Sequence, residues 1–171
     1  MAESVEITMN GPGKNALGTE MMTWLLEQLA RANGAPVLLT GTGDAFSAGL
    51  NLKEVASLDG DGMVRYLRLL ERCMSAFYQY PGPVVALVNG HAIAGGCVLT
   101  MACDYRVAKR DPKIRIGLNE VSLGVPFPPR VLRIVRSRLV PASEVPVLLG
   151  AELFPVEKAQ ALGLIDEASD D

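Results

Sequence analysis

Two short, unbroken apolar runs, Pro36-Val-Leu-Leu-Thr40 and Val84-Val-Ala-Leu-Val88, constrain the fold of this chain more than any other feature. A strand that is apolar along its whole length must be covered on both faces, which is the habit of parallel sheets clothed by helices. Helical periodicity separates the runs. From about Glu20 to Ala32, Met21, Met22, Leu25, Leu26 and Leu29 form one stripe, with Thr19 as the expected N-cap and Asn33-Gly34 as the stop. From about Gly62 to Tyr80, Met63, Tyr66, Leu67, Leu70, Met74 and Phe77 share a spacing that Pro81 and Pro83 end. Asn51 to Glu54 reads as a helix cap answered by an acid. Ala92 to Ala102 is apolar nearly all round and predicts a buried helix, after a turn at Asn89-Gly-His91. Val5–Met9 and Asp104–Ala108 alternate as half-buried strands do, and residues 114–117 are short and extended. A proline-punctuated loop leads to a helix with Val131, Leu132, Ile134 and Val135, followed by weaker helical pieces near 142–149 and 156–162. Strands alternating with helices predict an α/β architecture, in one domain spanning 1–171.

Composition closes off several functions. Sixteen basic against nineteen acidic residues leave a net charge of −3, without the basic excess of a nucleic-acid surface. Apolar residues make up 49% and charged residues 20%, too apolar a mixture for a disordered chain. Cys73, Cys97 and Cys103 are an odd number with no CxxC pair, so neither a disulfide framework nor a zinc ribbon is expected, and no metal site. The start carries no leader pattern and no apolar run is long enough for a membrane span, so a reducing, cytoplasmic setting is expected. The mean hydropathy of +0.24 is high for a lone domain and predicts apolar surface set aside for a partner.

The usual catalytic signatures are absent. One histidine, His91, follows Asn-Gly and reads as a loop residue rather than a base. Gly41-x-Gly43 is not completed to G-x-G-x-x-G, and no phosphate-loop pattern occurs. Two segments remain where a buried strand gives way to small residues and a helix: Phe46-Ser-Ala-Gly-Leu-Asn51 and Ala92-Ile-Ala-Gly-Gly-Cys97. The first N–H groups of each helix lack intrahelical partners, so two such starts side by side would make a two-donor oxyanion pocket. The same glycines equally permit tight packing of helix on strand, and spacing alone does not separate the two roles.

These segments resemble the crotonase (enoyl-CoA hydratase/isomerase) superfamily. The resemblance rests on Phe46 to Glu54 (FSAGLNLKE), Asn89 to Cys97 (NGHAIAGGC), Cys103 to Val107 (CDYRV), Ile116 to Gly124 (IGLNEVSLG) and Ala159 to Asp166 (AQALGLID), in the family's order. It implies a crotonase-like spiral of strand-strand-helix repeats in two roughly perpendicular sheets. It also implies acyl-CoA thioester substrates, no metal or redox cofactor, and an oxyanion hole of two backbone N–H groups, those of Leu50 and Gly95. The loops of Lys14 to Leu17 and Ser47 to Leu52 match those that hold CoA, so Lys14, Ala16, Ala48, Gly49, Asn51, Leu52 and Gly96 are expected at the CoA and thioester site. Asn51 stands where an aspartate is common in the family.

The resemblance also assigns carboxylates. Hydratases of the family use two glutamates. One matches Glu120; the other falls at Val98 here. A single carboxylate suits transfer of a proton from C2 to C4, as in the 3,2-trans-enoyl-CoA isomerases, so isomerisation of 3-enoyl-CoA to 2-enoyl-CoA is the expected reaction. Val98 should leave Glu120 poorly solvated and raise its pKa. The alternatives are hydration or another lyase or hydrolase reaction of the family, and acyl-CoA binding with little catalysis. Fatty-acid metabolism is the expected context. Asp104 reads as structural, while Phe127, Met63 and Tyr66 are candidates for an acyl tunnel or for core. Family members usually continue past AQALGLID with further helices. The chain therefore reads as a core without that C-terminal helical segment, either a short form or a piece of a longer protein, self-associating as a trimer or a dimer of trimers.

Overall fold

The computed structural model describes residues 3–170; Met1, Ala2 and Asp171, at the ends of the expected domain, lie outside them. The elements run β1 (Val5–Met9), a kinked turn α1 (Pro12–Asn15), α2 (Thr19–Ala32), β2 (Val37–Gly41), β3 (Ala45–Ser47), α3 (Leu52–Val55), α4 (Gly60–Tyr78), β4 (Val84–Val88), β5 (His91–Ile93), α5 (Gly95–Ala102), β6 (Tyr105–Lys109) and β7 (Ile116–Gly117). A 3₁₀ turn (Val121–Leu123), α6 (Pro129–Arg138), α7 (Pro141–Glu144) with a π-helical turn (Val145–Leu149), α8 (Val156–Ala161) and β8 (Glu167–Ser169) follow.

Five strands form one sheet in the order β1-β2-β4-β6-β8, and three form another in the order β3-β5-β7. Every neighbouring pair in both sheets is parallel. The two apolar runs become β2 and β4, interior strands of the larger sheet, which is why they need no polar face. Each of β2, β4 and β6 is followed by a short strand of the small sheet and then by helix. The strand-strand-helix repeat implied by the resemblance is thus realised three times.

Helices α2 and α4 pack on each other, with Met22, Leu25, Leu29, Tyr66, Leu70, Cys73, Met74 and Phe77 turned inward. All eight residues of α5 are buried. Each large aliphatic side chain so buried contributes about 1.5–3 kcal/mol. The three cysteines are free and buried, and burial pushes the Cys73 and Cys97 thiols up to about 12. No helix among the described residues is long and apolar enough to cross a membrane.

Several expectations change. Thr19 is not the N-cap of α2: Gly18 is, and the Glu54 carboxylate, from α3, accepts from the Thr19 N–H at 3.0 Å and from its hydroxyl. The capping box at 51–54 is therefore half formed. Asn51 Oδ1 accepts from Glu54 N at 3.3 Å, but the Glu54 side chain turns to α2. Helix α4 begins two residues early, because Asp59 Oδ1 accepts from Gly62 N at 2.6 Å and caps it. The expected turn at Asn89-Gly-His91 is shorter, since His91 opens β5 and its Nδ1 accepts from Arg115 N at 3.1 Å. The loop from Gly41 to Gly49 contains β3. Asp104 has the structural role read for it, accepting from Val84 N at 2.9 Å and facing Arg138.

Two motifs that lie far apart in the sequence meet in the fold. Arg106 of the CDYRV segment grips Asp166 of the AQALGLID segment through Nε at 2.8 Å and Nη2 at 2.7 Å. Its Nη1 donates to Gly163 O at 3.0 Å, so the guanidinium is buried with its donors satisfied.

Candidate active site

The first turn of the site leaves β3 and is held from below by the α1 turn. Ser47 Oγ donates to Asn15 O at 2.8 Å and accepts from Gly49 N at 3.2 Å. Ala48 N donates to Lys14 O at 3.0 Å, and Leu17 N to Gly49 O at 2.7 Å. Gly49 has φ +89°, a left-handed conformation that suits glycine. Asn15 anchors the arrangement. Buried and itself left-handed (φ 56°), it donates through Nδ2 to Thr42 O, Ala45 O and Phe46 O, and accepts from Gly11 N at 3.0 Å.

The second turn leaves β5 through Ala94, an alanine at φ 51°, ψ −123°. Such a conformation costs on the order of 1–3 kcal/mol and persists only where its surroundings enforce it. Here Ala94 N is tied to Gly117 O at 2.9 Å, and Gly95 opens α5. The two turns abut: a Cβ added to Gly49 would lie 2.7 Å from Ile93 O and 3.1 Å from Gly95 N. Leu50 N and Gly95 N are not spent on hydrogen bonds within the chain among the described residues. Gly95 N also belongs to the positive end of the α5 dipole.

Leu50 and Gly95 share a small cavity, about 30 Å³, with Val98 of α5 and Glu120. Leu67 and Leu70 of α4, residues 125–128 and Val131 of α6 complete it. Glu120 follows β7 through Leu118-Asn119 and is 8% exposed. Its carbonyl accepts from Leu123 N and Val125 N, both at 3.0 Å, which fixes the backbone beneath it. Its Oε2 is buried without a hydrogen-bond partner. Burial in this apolar surround pushes the carboxyl up to about 7, opposed only by its own backbone N–H. No other carboxylate among the described residues lines this cavity.

The expected CoA-site residues are spread more widely. Lys14 is exposed and pairs with Asp44 at 2.7 Å. Ala16 and Asn51 line a second cavity of about 290 Å³ beside Trp24 and Glu54. Ala48 and Gly49 build the first turn, and Leu52 projects outward, 63% exposed. Gly96 lines neither cavity; a Cβ there would meet Ser47 O at 2.2 Å, so its lack of a side chain serves the packing of the turns. Of the tunnel candidates only Phe127 reaches the small cavity, since Tyr66 turns its hydroxyl to Leu17 O. Leu67 and Leu70 were legible as members of a helical stripe but not as cavity walls. Asn15 carried no signal beyond its place in the Lys14–Leu17 loop.

A family model described as enoyl-CoA hydratase/isomerase matches residues 2–170. A Thermus thermophilus protein provisionally named an enoyl-CoA hydratase is 36% identical over 169 residues, covering 94% of this chain and 65% of its own length. Human mitochondrial enoyl-CoA delta isomerase 1 is 30% identical over 162 residues, covering 91% of this chain and 53% of its own length. The chain thus spans between about half and two thirds of these curated relatives. A crystal structure of a probable enoyl-CoA hydratase from Mycobacterium tuberculosis H37Rv superposes with a TM-score of 0.90 at 32% identity, over 97% of this chain and 71% of that one.

Proposed function

Because the chain belongs to the enoyl-CoA hydratase/isomerase family, we propose that it holds an acyl-CoA thioester at its two abutting turns and shifts a double bond from C3 to C2 with one carboxylate. The N–H groups of Leu50 and Gly95 donate to the thioester oxygen. Glu120, ionised, takes a proton from C2. The electrons move into a dienolate whose oxygen charge the two donors hold, each such donor being worth about 3 kcal/mol in a transition state. Glu120 then returns the proton to C4, the double bond settles between C2 and C3, and the carboxylate is regenerated. C2 is formally oxidised and C4 reduced by the same amount within one molecule, so the reaction asks for no redox cofactor.

The observation that carries this reading is the solitary, unpartnered Glu120 carboxyl, raised to about 7 in an apolar cavity walled by Val98. A base near the working pH combines availability with driving force for proton transfer. Water addition calls for a second group to activate water, and Val98 supplies none. At the rim, the exposed Lys14 meets the CoA phosphates by turning from its pair with Asp44, with Ala16, Ala48, Gly49, Asn51 and Leu52 around the pantetheine and nucleotide. Self-association belongs to the same reading; exposed Val140 supports it, and sedimentation measures it.

Deuterium incorporation at C2 and C4 of enoyl-CoAs in D₂O, with and without Glu120→Gln, is the test. Wash-in at both carbons without a 3-hydroxyacyl product is expected, and its loss by about 100-fold or more in the variant. A 3-hydroxyacyl-CoA as main product would make the protein a hydratase. Full exchange in a folded Glu120→Gln variant would remove Glu120 from the mechanism, and thioester binding without exchange would leave a binding protein.

A further inference from the structure

Phe127 lines two cavities. One is the 30 Å³ cavity of Glu120. The other is an open apolar groove of about 420 Å³, walled by Val121, Leu132, Leu148 and Leu149 and edged by the Arg136–Glu144 ion pair at 3.1 Å. The walls run in step. Glu120 and Val131 face the cavity, while their neighbours Val121 and Leu132 face the groove.

The partition is stiff. Phe127 sits between Pro126 and Pro128, and a residue before proline is confined to extended backbone. Pro128 is also the N-cap of α6, and the half-buried ring packs against the core. The ring is therefore anchored on both sides in sequence and from beneath.

We propose that Phe127 sets the acyl-chain length this protein accepts: its ring ends the Glu120 cavity just beyond a short acyl group, and the groove on its far side takes the tail of a longer thioester once the ring is removed. The proposal rests on the acyl-CoA reading above but not on which reaction is catalysed. A cavity of 30 Å³ holds about two water-sized groups, hence one or two methylenes beyond the reacting carbons. Each further methylene withdrawn from water tightens binding about fourfold. With the ring in place that gain ends early; with the cavity and groove joined it continues.

Calorimetric dissociation constants of non-reactive acyl-CoA thioethers, from four to fourteen carbons, read this directly on wild type, Phe127→Ala, Phe127→Trp and Phe127→Ala/Leu149→Glu. Wild type gains nothing from the longer chains. Phe127→Ala gains about fourfold per added methylene over several methylenes beyond four carbons. Phe127→Trp shortens the accepted chain. Leu149→Glu, at a 64% exposed groove position, removes the long-chain gain and spares the short chain. A wild-type affinity that climbs steadily with length, an unchanged profile in both Phe127 variants, or a gain that survives Leu149→Glu would overturn the proposal. So would a gain that tracks protein concentration, which would put a second copy of the chain in the groove. Absence of binding at every length sinks the acyl-CoA reading as well, whereas length-dependent binding without exchange sinks only the catalytic one.

Discussion

Burying Glu120 has a thermodynamic cost whose sign is fixed. Its folded pKa of about 7 lies above the ordinary 4.5, so between those values the folded state binds more protons than the unfolded one, and stability falls as pH rises through that window. The shift amounts to about 3 kcal/mol, fully felt above pH ~7 and absent below pH ~4. Glu120→Gln therefore unfolds at higher temperature than wild type at pH 8, and the gap closes near pH 4.5; thermal scans at both pH values check this. Wild-type exchange activity rises with pH along an acidic limb centred near 7, because the ionised form is the base. Glu120 was singled out only through the order of motifs, since nothing local separates Gly-Leu-Asn-Glu from a solvated loop acid. Asn15 was illegible because Thr42, Ala45 and Phe46, whose carbonyls it binds, lie 27, 30 and 31 residues away.

Elements of five residues or more announced themselves through periodicity or an unbroken apolar run; the three-residue strands β3, β5 and β8 did not. The residues of β2 and β4 are continuously apolar because both strands are interior. In contrast, β3 and β5 are three residues each and pair only within the small sheet, so no local pattern marks them, while β7, within the stretch 114–117 read as extended, also takes an antiparallel bridge from Ile116 to Phe154. The turns that follow β3 and β5 touch through glycine, and this contact sets where Leu50 N and Gly95 N point. A methyl group at Gly49 meets Ile93 O at 2.7 Å and strains a φ of +89°. Gly49→Ala is expected to lower kcat of the proposed reaction by at least about tenfold through a displaced donor, while costing about 1–3 kcal/mol of stability. Paired urea titrations and steady-state kinetics separate the two effects. The misread cap at Thr19 has the same origin as the hidden strands: Glu54 reaches α2 from 35 residues away.

At the scale of the molecule, Arg106 joins the central region to the last strand. Asp166 carries 28% side-chain exposure against 6% for Arg106, so removing the carboxylate strands a buried guanidinium. Asp166→Ala is expected to cost about 3–5 kcal/mol, and chemical denaturation measures it. Sequence placed both motifs but gave no sign that they touch. The all-parallel pairing has a consequence in time rather than in structure. No named strand pairs through a hairpin: Val85 meets Tyr105 from twenty residues off, Val5 meets Val37 from thirty-two, and Val107 meets Glu167 from sixty. Each ladder must close its chain loop before it repays the entropy lost, so refolding should be slow for a protein of this size. On a ribosome the central strands emerge and pair while β8 is still unmade, and the edge of β6 stays open until the Arg106 clasp can shut.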